Sequence, residues 1–242
     1  MFSKLKRLLK VKSTQGLSSS TPRLSSPKAW NETWEEIYEF EKWVQKQPDA
    51  VCVDLLCRLG LRLLPTVLVD NGPIISGSGF EQTLDAAVEI LAHQVERSCN
   101  RPNDIKPLSG RGFFELCEGG GGPYAGTTWH AIESCADGFG PTFMKKYLCE
   151  VLANIRRNTP EHSLNYDQFC RAVLADSAAW EAWTRSGHAQ QARAELMMSS
   201  LWDGNQPVAM YNEGLPKMCD YLATKGGYAH LLLLSFFDRD GA

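Results

Sequence analysis

Apolar residues recur at three- and four-residue spacings between Phe80 and Val95. At 100° per residue these positions share one face of a helix, and acidic residues lie in its early turns. The pattern predicts an amphipathic helix that starts after Ser78 and runs to about Cys99. Its apolar face has to be buried against other elements, so the chain is expected to form a packed domain. The residues of that face are Phe80, Leu84, Ala87, Val88, Leu91 and Val95.

Helical signals also cover much of the remaining chain. In the second predicted helix Val51, Leu55, Leu56 and Leu59 are expected to face inward. The final apolar run, Tyr228 to Phe237, fits either a buried strand or a helix. The other predicted helices span Trp30 to Lys46, Pro48 to between Gly60 and Pro65, Pro141 to Arg157, about Leu164 to Trp183, about Ala189 to Trp202, and Pro216 to Thr224.

Two segments have the pattern of β-hairpins. Residues 66–69 and 74–76 are β-branched runs on either side of a turn signal at Asp70 to Pro73. Residues 113–117 and 124–132 are apolar stretches on either side of the glycines 119–122. The predicted fold class is therefore α+β, predominantly helical, with one or two β-hairpins. We expect one globular domain over residues 30–242, after an N-terminal arm.

The first twelve residues carry five positive charges and no negative one. On a helical wheel Met1, Phe2, Leu5, Leu8 and Leu9 lie within an arc of about 120°, and most of the basic residues occupy the remainder. Such a helix lies in a membrane interface, where each Lys or Arg near anionic lipid adds about 1 kcal/mol. Residues 1–12 are therefore predicted to dock on an anionic membrane. The predicted membrane-binding residues are Phe2, Lys4, Leu5, Lys6, Arg7, Leu8, Leu9, Lys10 and Lys12.

The charge of the arm differs from that of the body. Residues 1–31 hold seven basic and no acidic side chains, which leaves 28 acidic against 18 basic residues in the body. We therefore do not expect the body to bind nucleic acid, although a nucleic-acid contact or a nuclear-import signal in the arm remains an alternative. Residues 13–29 are rich in Ser and contain two prolines, which predicts a flexible linker.

Signals for catalysis or cofactors are weak. Cys117 and His130 form one candidate for a thiolate and its base, and together with Cys135 they form one candidate for zinc ligands. No Cys-x-x-Cys or His-x-x-x-His spacing supports a metal site, and the glycines 119–122 lack the Lys and Ser or Thr of a phosphate loop. We predict no catalytic residue, no metal and no cofactor, and we expect free thiols in a reducing compartment.

The N-terminal sequence Met-Phe-Ser-Lys-Leu-Lys-Arg-Leu-Leu-Lys-Val-Lys, followed by a Ser/Pro-rich linker, resembles the organisation of matrix proteins of rhabdoviruses. It is also similar to the membrane-anchored C accessory proteins of some paramyxoviruses. The resemblance implies a cytoplasmic viral protein on the inner face of a host membrane, which is a virion component if it is matrix-like. A matrix-like protein is expected to self-assemble or to bind protein partners.

Two other functions stay open at this stage. The first is an accessory protein that sequesters a host signalling or trafficking factor. The second is an enzyme that uses Cys117 and His130. No stretch of the sequence has the length and apolar content of a membrane span.

Overall fold

Every regular element in the described part of the chain is a helix. The computed structural model describes residues 34–70, 78–101, 105–117, 123–136, 141–157, 166–185, 187–202 and 207–240. The elements are α1 (Trp34–Lys46), α2 (Asp49–Leu63), a 3₁₀ turn (Leu64–Thr66), α3 (Val67–Asp70), α4 (Ser78–Ser98), α5 (Gly110–Cys117), α6 (Pro123–Glu133), α7 (Pro141–Arg157), α8 (Tyr166–Thr184), α9 (Ala189–Met198), α10 (Ala209–Lys225) and α11 (Tyr228–Asp240).

Helix α2 is the central element. All of its residues from Val51 to Leu63 are buried, and α4, α6, α7, α8 and α9 pack around it. The four residues predicted to face inward are fully buried, as are most members of the predicted apolar face of α4. Thr33–Ala242 forms one compact unit around this helix. The apolar spacing therefore predicted the core correctly, because helices of this composition are stabilised mainly by burial of one face.

Helices α10 and α11 complete the packing. Helix α11 lies against α4 and α10, and α10 crosses the 3₁₀ turn next to α2. At this crossing Gly214 approaches the backbone so closely that a Cβ atom on it would lie 1.9 Å from the carbonyl oxygen of Pro65. The close contact requires glycine, because any other side chain would force the two elements apart.

The prediction of a hairpin after Pro65 is wrong for the part that the structure describes. Thr66 belongs to the 3₁₀ turn, and Val67–Asp70 is helical. Thr66 Oγ1 donates to the carbonyl oxygen of Leu63 at 2.6 Å, which continues the helical path. Val67 is fully buried, and a short apolar run of this kind does not distinguish a strand from a buried helical turn. The predicted turn and second strand, residues 71–76, lie outside the described residues.

The second predicted hairpin is also wrong, because both of its strands are helices, α5 and α6. The amide of Gly112 donates to Ser109 Oγ at 3.2 Å, so Ser109 stabilises the first turn of α5. Helix α6 starts at Pro123, a residue that suits the first helical position because it has no amide hydrogen to leave unpaired. Phe113 and Trp129 meet edge to face with ring centroids 6.1 Å apart, and this contact holds the two helices together. The glycines 119–122 lie outside the described residues.

The helix predictions are confirmed with small shifts at the ends, except for the first residue of one helix. Helix α10 begins at Ala209, so Pro216 lies inside the helix and not at its first turn. The final apolar run is the helix α11 and not a strand. The predicted membrane-docking segment, the linker and the start of the first helix, residues 1–33, lie outside the described residues.

Candidate functional site

Cys117 and His130 both lie in the described part of the chain, and each has close neighbours of its own. His130 Nδ1 lies 3.6 Å from Glu133 Oε2, and its ring meets Tyr147 edge to face at a centroid distance of 4.6 Å. Burial, with a smaller contribution from the negative charge of Glu133, raises the pKa of the Cys117 thiol to about 12. A thiol with that pKa is almost fully protonated near neutral pH and is a poor nucleophile.

The third proposed zinc ligand points into the core. Cys135 is buried, and its Sγ donates to the carbonyl oxygens of Ala131 at 3.3 Å and Val53 at 4.0 Å. Among the residues that the structure describes, no group of three or more His, Cys, Asp or Glu side chains is arranged to hold a metal ion. All eight cysteines are free thiols, as the sequence predicts.

The predicted membrane-binding residues Phe2, Lys4, Leu5, Lys6, Arg7, Leu8, Leu9, Lys10 and Lys12 lie outside the described residues. None of the described helices combines the length and apolar content needed to cross a membrane.

Two arginines of the central helix form a buried ionic network that the sequence analysis missed. Arg58 Nη2 lies 2.9 Å from Asp176 Oδ1, and Arg62 Nη1 lies 2.7 Å from Asp176 Oδ2. The two guanidinium groups also donate to backbone carbonyls at and beyond the end of α9, those of Leu196, Ser199 and Ser200 for Arg58 and that of Leu201 for Arg62. The Leu196 carbonyl belongs to the last turn of α9, which is the negative end of its helix dipole, so positive charge is favourable there. The network stabilises the end of α9 against α2.

A second buried network lies one turn earlier on the same helix. Asp54 is fully buried and accepts two hydrogen bonds from Arg193 of α9, from Nε at 2.7 Å and from Nη2 at 3.0 Å. Ser98 and Gln94 of α4 donate to the same carboxylate at 2.5 Å and 3.0 Å. The two donor nitrogens of Arg193 face the two carboxylate oxygens of Asp54, which is the geometry that a planar guanidinium group favours. Asp54 therefore joins α2, α4 and α9 within the core.

A partly exposed group of polar side chains lies where α4, α10 and α11 meet. Tyr221 donates its hydroxyl to Asp85 Oδ1 at 2.5 Å, and His230 Nε2 lies 2.9 Å from the same oxygen. Lys225 Nζ donates to Asp85 Oδ2 at 2.9 Å and lies 2.6 Å from Glu81 Oε1. We call this group the Asp85 cluster; it consists of Glu81, Asp85, Tyr221, Lys225 and His230.

The contacts within the Asp85 cluster determine its protonation. Burial by itself would raise the pKa of Asp85, but the hydrogen bonds from Lys225, Tyr221 and His230 outweigh it and hold that pKa below its ordinary value. Burial and the neighbouring Asp85 carboxylate together raise the pKa of the Tyr221 hydroxyl. Asp85 is therefore ionised and Tyr221 neutral near pH 7, so the carboxylate accepts and the hydroxyl donates.

An open groove of about 380 Å³ lies beside the Asp85 cluster. Its lining contains two acidic and two basic side chains, so it offers no strong charge of one sign for a ligand. The Asp85 carboxylate already accepts three hydrogen bonds from protein groups. The cluster therefore acts mainly to join α11 to α4 and α10. The lining residues are Leu68, Glu81, Lys217, Asp220, Tyr221, Thr224 and Lys225.

The sequence contains a pattern that indicates part of these networks. Asp54, Arg58 and Arg62 are spaced by four residues within an apolar helix, a pattern that places three charged side chains on one stripe. The partners Asp176 and Arg193 lie more than a hundred residues further along the chain, and no local pattern links them to α2.

Comparison of the chain with known protein families, with curated proteins and with solved structures finds no match.

Proposed function

We propose that this protein is a non-enzymatic peripheral membrane protein that docks through residues 1–12 on an anionic inner leaflet. The observation that carries the proposal is the combination of five basic side chains and an apolar stripe in that segment. A basic arm for nucleic acid needs the charge but not the stripe. The folded body then self-associates or binds a protein partner at the membrane, in the manner of a viral matrix protein.

Two further observations support this proposal over the enzyme alternative. Burial and the charge of Glu133 keep the thiol of Cys117 protonated, and His130 contacts Glu133 and Tyr147. The body is acidic overall, so an anionic membrane would repel most of its surface, and attachment requires a basic segment such as the arm.

The proposal is tested by co-sedimentation of the full chain with vesicles that contain phosphatidylserine, and with neutral phosphatidylcholine vesicles. The double variant Leu5→Glu and Leu9→Glu removes the apolar stripe. The matched control is Leu17→Glu and Leu24→Glu, which makes the same chemical change in the linker. We expect the first variant to lose binding to anionic vesicles, the control to keep most of it, and wild-type binding to fall as salt increases.

Equal binding of the two double variants would contradict the proposal, and so would equal binding of the wild type to neutral and anionic vesicles. Self-association is measured on the same vesicles by chemical crosslinking over a range of protein density. A matrix-type protein should give a ladder of oligomers that grows with density. A chain that stays monomeric at all densities would instead favour the accessory protein that sequesters a host factor.

A further inference from the structure

Three large apolar side chains are exposed on the described surface: Leu108 at 40%, Phe114 at 48% and Tyr228 at 56%. Tyr228 donates its hydroxyl to Glu96, so its position has a structural explanation. Leu108 and Phe114 lie six residues apart, just before and within α5, and exposure of two such residues so close together is characteristic of an interaction surface.

The geometry of α5 places these two side chains on its outer side. Gly110 and Phe113 are buried and form the inner face of the helix. Arg111 and Phe114, three positions apart, are exposed and lie next to each other on the outer face. A Cβ atom on Gly112 would lie 3.7 Å from Leu108 Cδ2, so Leu108 covers the other flank of the outer face. Leu108 and Phe114 therefore lie on either side of Arg111 and Glu115 on this helix.

The charge beside Leu108 and Phe114 is more positive than that of the body. Residues 105–117 carry two basic side chains, Lys106 and Arg111, and one acidic side chain, Glu115, whereas acidic residues exceed basic ones by ten over the body as a whole. Lys106 and Arg111 are both exposed. Arg111 pairs with Glu115 at 3.1 Å, but both side chains are well exposed, and an exposed pair of this kind contributes little energy and opens readily.

We propose that Lys106, Leu108, Arg111 and Phe114 form a second contact of this protein with the anionic lipid surface; we call these four residues the α5 surface. This inference rests on the proposed function and adds the face of the folded body that meets the membrane. Leu108 and Phe114 insert at the acyl boundary, while Lys106 and Arg111 lie among the headgroup phosphates. A protein partner fits less well, because the centres of protein interfaces are depleted in lysine.

The first test changes only charge. The double variant Lys106→Gln and Arg111→Gln of the full chain is compared with Lys146→Gln and Lys217→Gln. The control removes the same charge from two exposed lysines that also pair with a glutamate four residues away. We expect the α5 variant to bind vesicles that contain phosphatidylserine about thirtyfold more weakly than the wild type, because each basic residue contributes about a factor of five. The control should change affinity much less.

The second test changes only the apolar contact. Phe114→Ser is expected to weaken binding to the same vesicles about fivefold, because a half-exposed ring gains only part of the transfer energy of a phenylalanine. Hydrogen exchange on the wild type needs no variant. Amides of residues 105–117 should exchange more slowly on anionic vesicles, whereas those of α9, on which no contact is proposed, should keep their rates.

The outcomes separate this inference from the proposed function. If Leu5→Glu with Leu9→Glu abolishes binding while the α5 variants bind as the wild type and residues 105–117 gain no protection, the α5 contact is refuted and docking by the arm stands. If the α5 variants lose binding and the arm variant does not, docking by the arm is refuted. If the α5 variants keep vesicle binding but lose self-association in solution, the surface joins copies of the chain and the lipid assignment is overturned.

Discussion

Asp176 and Asp85 each pair with basic side chains from neighbouring helices, but they do so in different surroundings. Asp176 is 2% exposed and lies between Arg58 and Arg62, which are fully buried. The Asp85 side chain is 32% exposed and that of its partner Lys225 is 27% exposed, whereas its other partner His230 is buried. The partners are similar in kind, so the difference in solvent access decides what is lost when one partner is removed.

The contrast follows from the cost of desolvation. A charge left unpaired in the core cannot be solvated, so removing one member of a buried network costs more than the pair contributed. A charge left unpaired near the surface is solvated by water, so the loss is close to the small value of an exposed pair. The buried network should therefore respond strongly to single changes and the Asp85 cluster weakly.

The largest effect is expected for Asp176→Ala. The change leaves two buried guanidinium groups without their carboxylate, and it should lower the free energy of unfolding by about 3–5 kcal/mol. Urea denaturation followed by circular dichroism measures this loss. The matched control is Glu213→Ala, which removes a well-exposed carboxylate paired with Lys217 and should cost less than about 1 kcal/mol. Similar losses for the two variants would show that burial of Asp176 does not control its contribution.

A smaller loss is expected for Arg193→Met. Asp54 stays buried in this variant, but it keeps the hydrogen bonds from Ser98 and Gln94. Methionine retains much of the apolar stem, so the loss mainly reports the charged hydrogen bonds and should be about 2 kcal/mol. The same urea titration measures it. If Arg193→Met lowered the free energy of unfolding as much as Asp176→Ala, the idea that the remaining polar partners of Asp54 limit the loss would be contradicted.

The core was predictable because apolar spacing is a local property. In α2 the residues Val51, Leu55, Leu56 and Leu59 were predicted to face inward, and all four are fully buried. The spacing could not show that the charged side chains next to this face, Arg58 and Arg62, are buried too. Their burial depends on carbonyl oxygens at and beyond the end of α9 that are distant in sequence.

The hairpin predictions were wrong because a short apolar run fits either a strand or a buried helical turn. Residues 113–117 fit a strand by composition, but Ser109 caps a helix there and Phe113 packs against Trp129. The Asp85 cluster was not predictable either. His230 lies 145 residues from Asp85 in sequence, and no spacing rule connects two single residues at that distance.

In the Asp85 cluster we expect Asp85→Asn to lower the free energy of unfolding at pH 7 by about 1 kcal/mol. The amide keeps the shape of the side chain but loses the charge that attracts Lys225 and His230. The cost stays below that of Arg193→Met because water reaches the groups that are left unpaired. Urea denaturation measures this loss.

The cost of Asp85→Asn should depend on pH, because the folded protein holds the pKa of Asp85 below its ordinary value of 3.8. Above about pH 5 the carboxylate is ionised in both states and its full contribution is present. As the pH falls through the folded pKa, the unfolded chain gains its proton first and the contribution disappears. The wild type and Asp85→Asn should therefore converge in stability at low pH. A difference that grows as the pH falls below about 4 would contradict the assigned contacts.

The smallest effect is expected for Tyr221→Phe, at about 0.5 kcal/mol. Its hydroxyl donates to Asp85, but the carboxylate keeps Lys225 and His230 and remains in contact with water. Tyr228→Phe is the informative comparison. Its ring is more exposed, yet its hydroxyl donates to Glu96, which is only 1% exposed. If solvent access to the acceptor sets the cost, urea denaturation should show a larger loss for Tyr228→Phe. The reverse order would mean that exposure of the tyrosine itself matters more than that of the carboxylate.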